Sequence, residues 1–156
     1  MVYNKPYLII FGGNSGNRVE NDVWLLNFQR GPFTWVKYEF DSSRVPCPRV
    51  YHSAALCEEG KATGMMVVYG GRREVKKDHN GSQRELAMSA LNDVWGLVKH
   101  RNGTWDWATP PRTDNYTPIG RYQHTVCFLG SKLVIIGGRS SSDPDEKINC
   151  IEAYDT

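Results

Sequence analysis

The chain has 156 residues, 40% of them apolar and 12% aromatic, with a formal net charge of +2. That length can bury a core of its own, and the profile argues against disordered, collagen-like and membrane-spanning classes, since no apolar run approaches the ~20 residues that cross a bilayer. The near-neutral balance argues against nucleic acid as a ligand, because phosphate recognition needs a concentrated basic face. Cys47, Cys57, Cys127 and Cys150 show no CxxC spacing, so neither a zinc site nor a disulfide framework is expected. Reduced thiols favour the cytoplasm or nucleus, and Met1–Pro6 lacks the basic-then-apolar pattern of a signal peptide. The N-x-S/T sequons at Asn80, Asn102 and Asn115 read as ordinary turn asparagines.

The first strand signal is Tyr7-Leu8-Ile9-Ile10-Phe11, stopped by Gly12-Gly13. Asn21-Asp22-Val23-Trp24-Leu25-Leu26 follows, and after a turn at Gly31 comes a short strand with Trp35. Beyond Pro46 and Pro48 lies Arg49-Val50-Tyr51-His52-Ser53-Ala54-Ala55-Leu56, then Met65-Met66-Val67-Val68-Tyr69 stopped by Gly70-Gly71. The charged stretch 72–90 is longer than its counterpart at 14–20 and reads as a solvent loop between a second and a third strand. Leu91-Asn92-Asp93-Val94-Trp95 repeats the N-D-V-W string, and Trp105 and Trp107 follow a turn at Gly103. After Pro118 the pattern restarts with Arg121-Tyr122-Gln123-His124-Thr125-Val126-Cys127-Phe128 and Leu133-Val134-Ile135-Ile136-Gly137-Gly138. Ile151-Glu152-Ala153-Tyr154-Asp155 ends it as a weaker copy of the N-D-V-W strand, with Tyr in place of Trp.

The repeating unit is four strands: R-x-x-H-[ST], an apolar run closed by Gly-Gly, N-D-V-W, and a tryptophan strand. This unit resembles the Kelch repeat, in which four antiparallel strands form one blade of a β-propeller. The fold expected is therefore all-β, a partial propeller of about two and a half to three blades. The boundaries are a blade at 6–40 without its first strand, a complete blade at 48–108 carrying the charged loop 72–90, and a blade at 120–156 without its fourth strand. Propellers close with four to eight blades, so this arc implies a longer parent and exposed blade faces that favour self-association of the isolated chain. The tryptophans read as core residues between blades, and the repeated His52 and His124 as structural hydrogen-bonding groups.

The strings Arg49–Cys57, His100-Arg101-Asn102-Gly103-Thr104-Trp105-Asp106-Trp107 and Arg121-Tyr122-Gln123-His124 are more specific. They resemble the Kelch region of the Kelch-repeat serine/threonine phosphatases of plants and alveolates, where a propeller precedes a catalytic domain. The resemblance implies a regulatory or substrate-recruiting module for a protein or peptide partner, acidic or phosphorylated, or for the parent's own phosphatase domain. It also implies a dinuclear, manganese-like centre in that catalytic domain, whose G-D-x-H-G, G-D-x-x-D-R-G and G-N-H-E motifs do not occur in these 156 residues. No catalytic residue, metal ligand or cofactor site is therefore assigned to this segment.

In peptide-binding Kelch propellers, residues after the glycine pair and near the start of the inner strand face the ligand. By that resemblance the binding candidates are Asn14, Tyr51, Arg72, Gln123 and Arg139, with Arg49 and Arg121 as weaker ones. The two weaker arginines have a competing structural role, pinning carbonyls or pairing with Asp22 and Asp93. Two alternatives stay open: an adaptor of another scaffold or ubiquitin-ligase type, and a propeller metalloenzyme using His52, His124 and tyrosines.

Overall fold

The computed structural model describes residues 1–29, 31–41, 43–79, 83–110, 118–140 and 147–156, with the backbone alone at 76–79 and 83–87. The described elements are strands throughout, and no helix long and apolar enough to cross a membrane is found among them. The first blade is an antiparallel sheet in chain order: β1 (Val2–Asn4), β2 (Tyr7–Asn14), β3 (Val19–Asn27) and β4 (Trp35–Tyr38). The second is β5 (Ser53–Leu56) and β6 (Met66–Tyr69) followed, across an inserted hairpin of β7 (Arg72–His79) and β8 (Gln83–Ala90), by β9 (Val94–Lys99) and β10 (Trp105–Ala108). The third holds β11 (Thr125–Leu129), β12 (Lys132–Ile136) and β13 (Ile151–Asp155). These are three blades of a β-propeller, the architecture the repeat implied.

Four details differ from the sequence expectations. The first blade does have an inner strand: Val2 faces Ile9 and Asn4 faces Tyr7 across an antiparallel ladder, so the blade begins before residue 6. Three residues with no R-x-x-H string ahead of them carry too little pattern to be read as a strand. The segment 72–90 is a hairpin and not an irregular loop, in continuous register from Arg72↔Ala90 to His79↔Gln83. The dipeptide Asn80-Gly81 is a sequence signal that could have marked a hairpin. In the third blade Ile136↔Ile151 matches Tyr69↔Val94, which puts Glu152, and not Tyr154, in the place of Trp95. Finally, Trp24 and Trp35 are not core residues. Each is 37% exposed, on the outer face of the first blade, while Trp105 and Trp107 of the second blade are buried against the first.

Burial follows the alternation of each strand. Ile9, Phe11, Val23 and Leu25 of the first blade pack on Met66, Val68, Leu97, Trp105 and Trp107 of the second. The opposite face of the second blade, with Val67 and Tyr69, packs on Val126, Leu133, Ile135 and Tyr154 of the third. Fully burying one such side chain stabilises by about 1.5–3 kcal/mol, so the two blade joints carry most of the apolar stabilisation.

Each joint is fastened by one R-x-x-H segment that belongs to two blades. The Arg49 guanidinium, fully buried, grips its own blade: both Nη groups donate to the Asp93 carboxylate at 2.8 and 2.7 Å, and Nη1 also donates to the Gly70 carbonyl at 3.1 Å. That proximity holds the Asp93 carboxyl below its ordinary range although burial alone would raise it. The Arg49 backbone grips the preceding blade instead, its carbonyl accepting from Gly13 N–H at 3.0 Å and its N–H donating to the Glu20 carbonyl at 3.0 Å. Arg121 repeats the arrangement, with Glu152 at 2.8 Å and the Gly137 carbonyl at 3.0 Å on its own blade, and Gly71 and Leu91 on the blade before.

The same segments close the joint with their histidines. His124 Nε2 meets the Tyr69 carbonyl at 3.1 Å, and His52 bonds the matching Phe11 backbone, while Nδ1 of both rings is buried without a hydrogen-bond partner. A protonated ring would place a second N–H where nothing accepts it. Burial, reinforced by the charges of Arg49 and Arg121, lowers both histidines to about 4, so both are neutral at pH 7.

The glycine pairs are the other half of the joint. Gly70 has φ +64°, and a Cβ there would lie 2.6 Å from the Arg121 carbonyl oxygen and 2.9 Å from the His124 ring. Gly137, at φ +67°, would meet only the Ile148 carbonyl, at 3.8 Å. Gly70→Ala is therefore expected to cost about 3 kcal/mol or more, combining a left-handed backbone penalty with overpacking, and Gly137→Ala only about 1–2 kcal/mol. Urea midpoints at constant slope measure both; equal losses would contradict the joint as described.

The histidines predict a pH dependence. The unfolded chain takes up protons near the ordinary 6.5, the folded one only near 4. Stability is thus complete above pH 6.5, falls as pH drops from 6.5 to 4 and gains no further loss from these groups below 4, with a ceiling on the order of 3 kcal/mol per histidine. Denaturation across that window should show this slope, and the double variant His52→Gln/His124→Gln should flatten it.

Candidate functional site

Two turns of closely similar geometry lie side by side. Arg49 and His52 both point inward, as do Arg121 and His124, and in each segment the chain must cross the space between them in three residues. It does so by placing Tyr51 at φ 58° and Gln123 at φ 55°, the described non-glycine residues in the left-handed region. That conformation costs roughly 1–2 kcal/mol per residue for an L-amino acid. It turns the side chain outward: Tyr51 is 55% exposed, and Gln123 is exposed as well. The Gln123 N–H donates to the Tyr51 carbonyl at 3.0 Å, so the two turns abut across the joint.

The glycine pairs deliver their following residues to the same place. Val50 bridges to Arg72 and Tyr122 bridges to Arg139, setting each arginine beside one outward turn. The Arg72 guanidinium lies 4.5 Å over the Tyr122 ring, which holds the long side chain in one orientation. Arg139 bridges in turn to Lys147, and Gln123, Arg139 and Lys147 line a groove of about 300 Å³ with Gly137, Gly138 and Ile148. The result is a rim that is polar, cationic and aromatic, built on backbone pairing.

Of the binding candidates, the structure brings together Tyr51, Arg72, Gln123 and Arg139. Asn14 stands at the corresponding position of the first blade, but its carboxamide oxygen accepts from Gly16 N–H at 2.7 Å and is spent on its own turn. Arg49 and Arg121 are not surface residues at all. Both have no exposed area, and their donors are consumed by carboxylates and carbonyls, so their role is structural. Sequence reasoning missed Tyr122 and Lys147. Tyr122 sits in the R-Y-Q-H string and alternates with the exposed Gln123, a signal that could have marked it as the platform under Arg72. Lys147 is joined to the rim by a bridge from Arg139 that no local pattern announces.

The arrangement offers recognition chemistry. Planar guanidinium groups and a phenol suit carboxylate or phosphate oxygens and an apolar neighbour. His52 and His124 are committed to the Phe11 and Tyr69 backbones, and no cluster of three metal-ligating side chains occurs among the described residues.

A family model, the KLHDC2/KLHL20/DRC7 Kelch-repeats domain, matches residues 1–156. Among curated proteins, the chain is 34% identical over 134 residues to the serine/threonine-protein phosphatase BSL2 of Arabidopsis thaliana, an overlap of 86% of the chain and 11% of the phosphatase. It is 32% identical over 133 residues to tip elongation aberrant protein 1 of Schizosaccharomyces pombe, covering 85% of the chain and 10% of that protein. Human host cell factor 2 is 30% identical over 147 residues, covering 86% and 16% respectively. The chain thus spans a small part of each of these relatives. The solved structure of YjhT, a Kelch propeller, superposes with a TM-score of 0.61 at 19% identity, covering 99% of the chain and 40% of that structure, a likeness of fold.

Proposed function

Since the chain belongs to the KLHDC2/KLHL20/DRC7 Kelch-repeats domain family, we propose that it is a non-catalytic protein-interaction module whose binding surface is the rim of Tyr51, Arg72, Gln123 and Arg139. The observation that carries this reading is the pair of left-handed turns. Strain repeated at equivalent exposed positions, with a guanidinium set beside each, is what a surface preorganised for a ligand looks like. The partner class it fits is a protein segment bearing carboxylates or phosphates, held in a cytoplasmic or nuclear setting. The open apolar faces of the first and third blades, with Trp24 on one and Ile151 on the other, favour self-association of the chain at high concentration.

The likeness to BSL2 supports the finer reading that this is the regulatory, substrate-recruiting part of a serine/threonine phosphatase. There the rim would hold the substrate or the phosphatase domain itself, and the dinuclear metal chemistry would belong to that other domain. The likeness to tip elongation aberrant protein 1 and host cell factor 2 leaves an adaptor on another scaffold as the second reading. Nothing in the geometry favours a propeller metalloenzyme, since both repeat histidines are occupied by backbone carbonyls.

Two measurements test this. The double variant Arg72→Ala/Arg139→Ala, introduced into the full-length parent and shown by circular dichroism to keep its fold, should recover at least tenfold less partner in affinity capture. Unchanged recovery removes the rim as the binding surface. The 156-residue chain itself, given manganese and a phosphopeptide or a chromogenic phosphate ester, should show no turnover; activity that persists through repurification would overturn the non-catalytic reading.

A further inference from the structure

The hairpin of β7 and β8 has no counterpart of its length in the first blade. There β2 returns to β3 through a tight turn, with Asn14 facing Val19 and Ser15 N–H donating to the Arg18 carbonyl at 3.1 Å. In the second blade the two strands run on for eight pairs, from Arg72↔Ala90 to His79↔Gln83. β7 and β8 form a sheet of their own, and among the described residues neither contributes to the two apolar clusters that join the blades. A two-stranded hairpin is marginal in water by itself, and a third strand or a packed face is what stabilises it.

The direction of the backbone shows where a third strand fits. Arg72 N–H donates to the Val50 carbonyl at 2.8 Å and Val50 N–H donates to the Arg72 carbonyl at 3.0 Å, so the Arg72 backbone groups point away from β8. Strand alternation then turns those of Arg73, Val75 and Lys77 toward β8, and those of Glu74, Lys76 and Asp78 toward the Val50 side. The chain supplies one pair on that edge and then leaves it. Pro48 has no N–H, and Arg49 turns its backbone to Glu20 and Gly13 of the first blade. Among the described strands none pairs with β7 beyond Arg72 on this side. The side is the inner one: Val50 leads into β5, which lies against β1 and β11, and the Tyr51 turn of the rim follows directly. Residues 72–90 hold five lysines and arginines against three carboxylates, an excess that equals the whole chain's net charge of +2. Arg73 and Lys77 share one face of β7, with Val75 between them.

We propose that the inner edge of β7 takes an extended segment of a protein partner as a third, antiparallel strand, one that carries carboxylates at alternate positions. Backbone pairing at Lys76 and Asp78 supplies the hold. Acidic residues opposite Arg73 and Lys77, and a β-branched residue opposite Val75, set the preference. Lysines along an exposed edge oppose pairing with arbitrary strands and leave the edge open to an acidic one. The proposal rests on the rim reading, because the segment held here is the one whose carboxylates the rim receives, and it adds the conformation in which that partner lies.

The test adds an acetylated and amidated peptide, Thr-Glu-Thr-Val-Thr-Glu, to the ¹⁵N-labelled chain. Antiparallel pairing of its valine with Val75 sets its glutamates opposite Lys77 and Arg73 and turns the N–H of its second threonine toward Lys76. Saturating peptide should slow hydrogen exchange at the Lys76 and Asp78 amides at least tenfold. Methylating the backbone nitrogen of the second threonine should weaken binding at least tenfold, and methylating that of the valine, which points to solvent, should leave it unchanged. In the chain, Lys76→Pro removes the outward N–H and should weaken binding as much as the first methylation; the methylated peptides serve if that variant disturbs the hairpin. The proposal fails if neither amide is protected or if the two methylated peptides bind alike. It fails equally if both amides are protected in the free chain in proportion to its concentration, which would make a second copy the occupant. Protection absent while the Gln123 and Arg139 amides shift would remove the edge and keep the rim. Protection retained while Arg72→Ala/Arg139→Ala leaves partner recovery unchanged would keep the edge and remove the rim.

Discussion

The buried guanidinium of Arg49, clamped between the Asp93 carboxylate and the Gly70 carbonyl, is the contact on which the arrangement of blades depends. A charge taken wholly out of water is tolerated only when its donors are matched, and here a carboxylate and carbonyls match them. That satisfied arginine fixes where its own backbone lies, and the backbone in turn bonds the preceding blade at Gly13 and Glu20. One residue therefore sets both the inside of a sheet and the position of its neighbour. Arg121 does the same with Glu152, which reaches it from the strand position that a tryptophan fills in the other two blades.

The candidate binding rim is a geometric consequence of this fastening. Two inward anchors three residues apart force the residue before the histidine into a left-handed turn, so Tyr51 and Gln123 project from the molecule for a structural reason before any functional one. The glycine pair contributes in a complementary way. It lets the neighbouring arginine carbonyl approach closely, and it ends the second strand so that Arg72 and Arg139 emerge beside the turns. A surface whose identity comes from residues at permissive positions, on a scaffold whose anchors are fully buried, can change its ligand without changing its fold.

Much of this was legible in the order of residues. The blade strands from Tyr7 onward, the glycine stops and the pairing of R-x-x-H with N-D-V-W are carried by short, strongly patterned strings, and each string recurs at least twice. The misreadings share a cause. β1 has three residues and no pattern of its own; it exists because β2 offers it an edge. Trp24 has the same local sequence as Trp95, yet one lies on an outer face and the other inside a joint, a difference that depends on a neighbouring sheet and not on the residue. The hairpin at 72–90 is held by backbone pairing, so it needs none of the apolar alternation by which strands are usually recognised.

By itself the sequence determined the repeat, the all-β class and the four-stranded unit, because strand propensity, glycine conformation and side-chain alternation are local properties. It also narrowed the surface to a few positions near the glycine pairs. Tertiary structure alone decided which of those positions are buried and which are offered to a partner. Arg49, Arg72, Arg121 and Arg139 are chemically identical side chains at similar places in the repeat. Two are enclosed because strands of the same blade bring a carboxylate and a carbonyl to them, and two stand at the rim because they follow a glycine pair and bridge to the residue beside an outward turn. Burial is a property of what surrounds a residue, and here the surroundings come from strands distant in sequence.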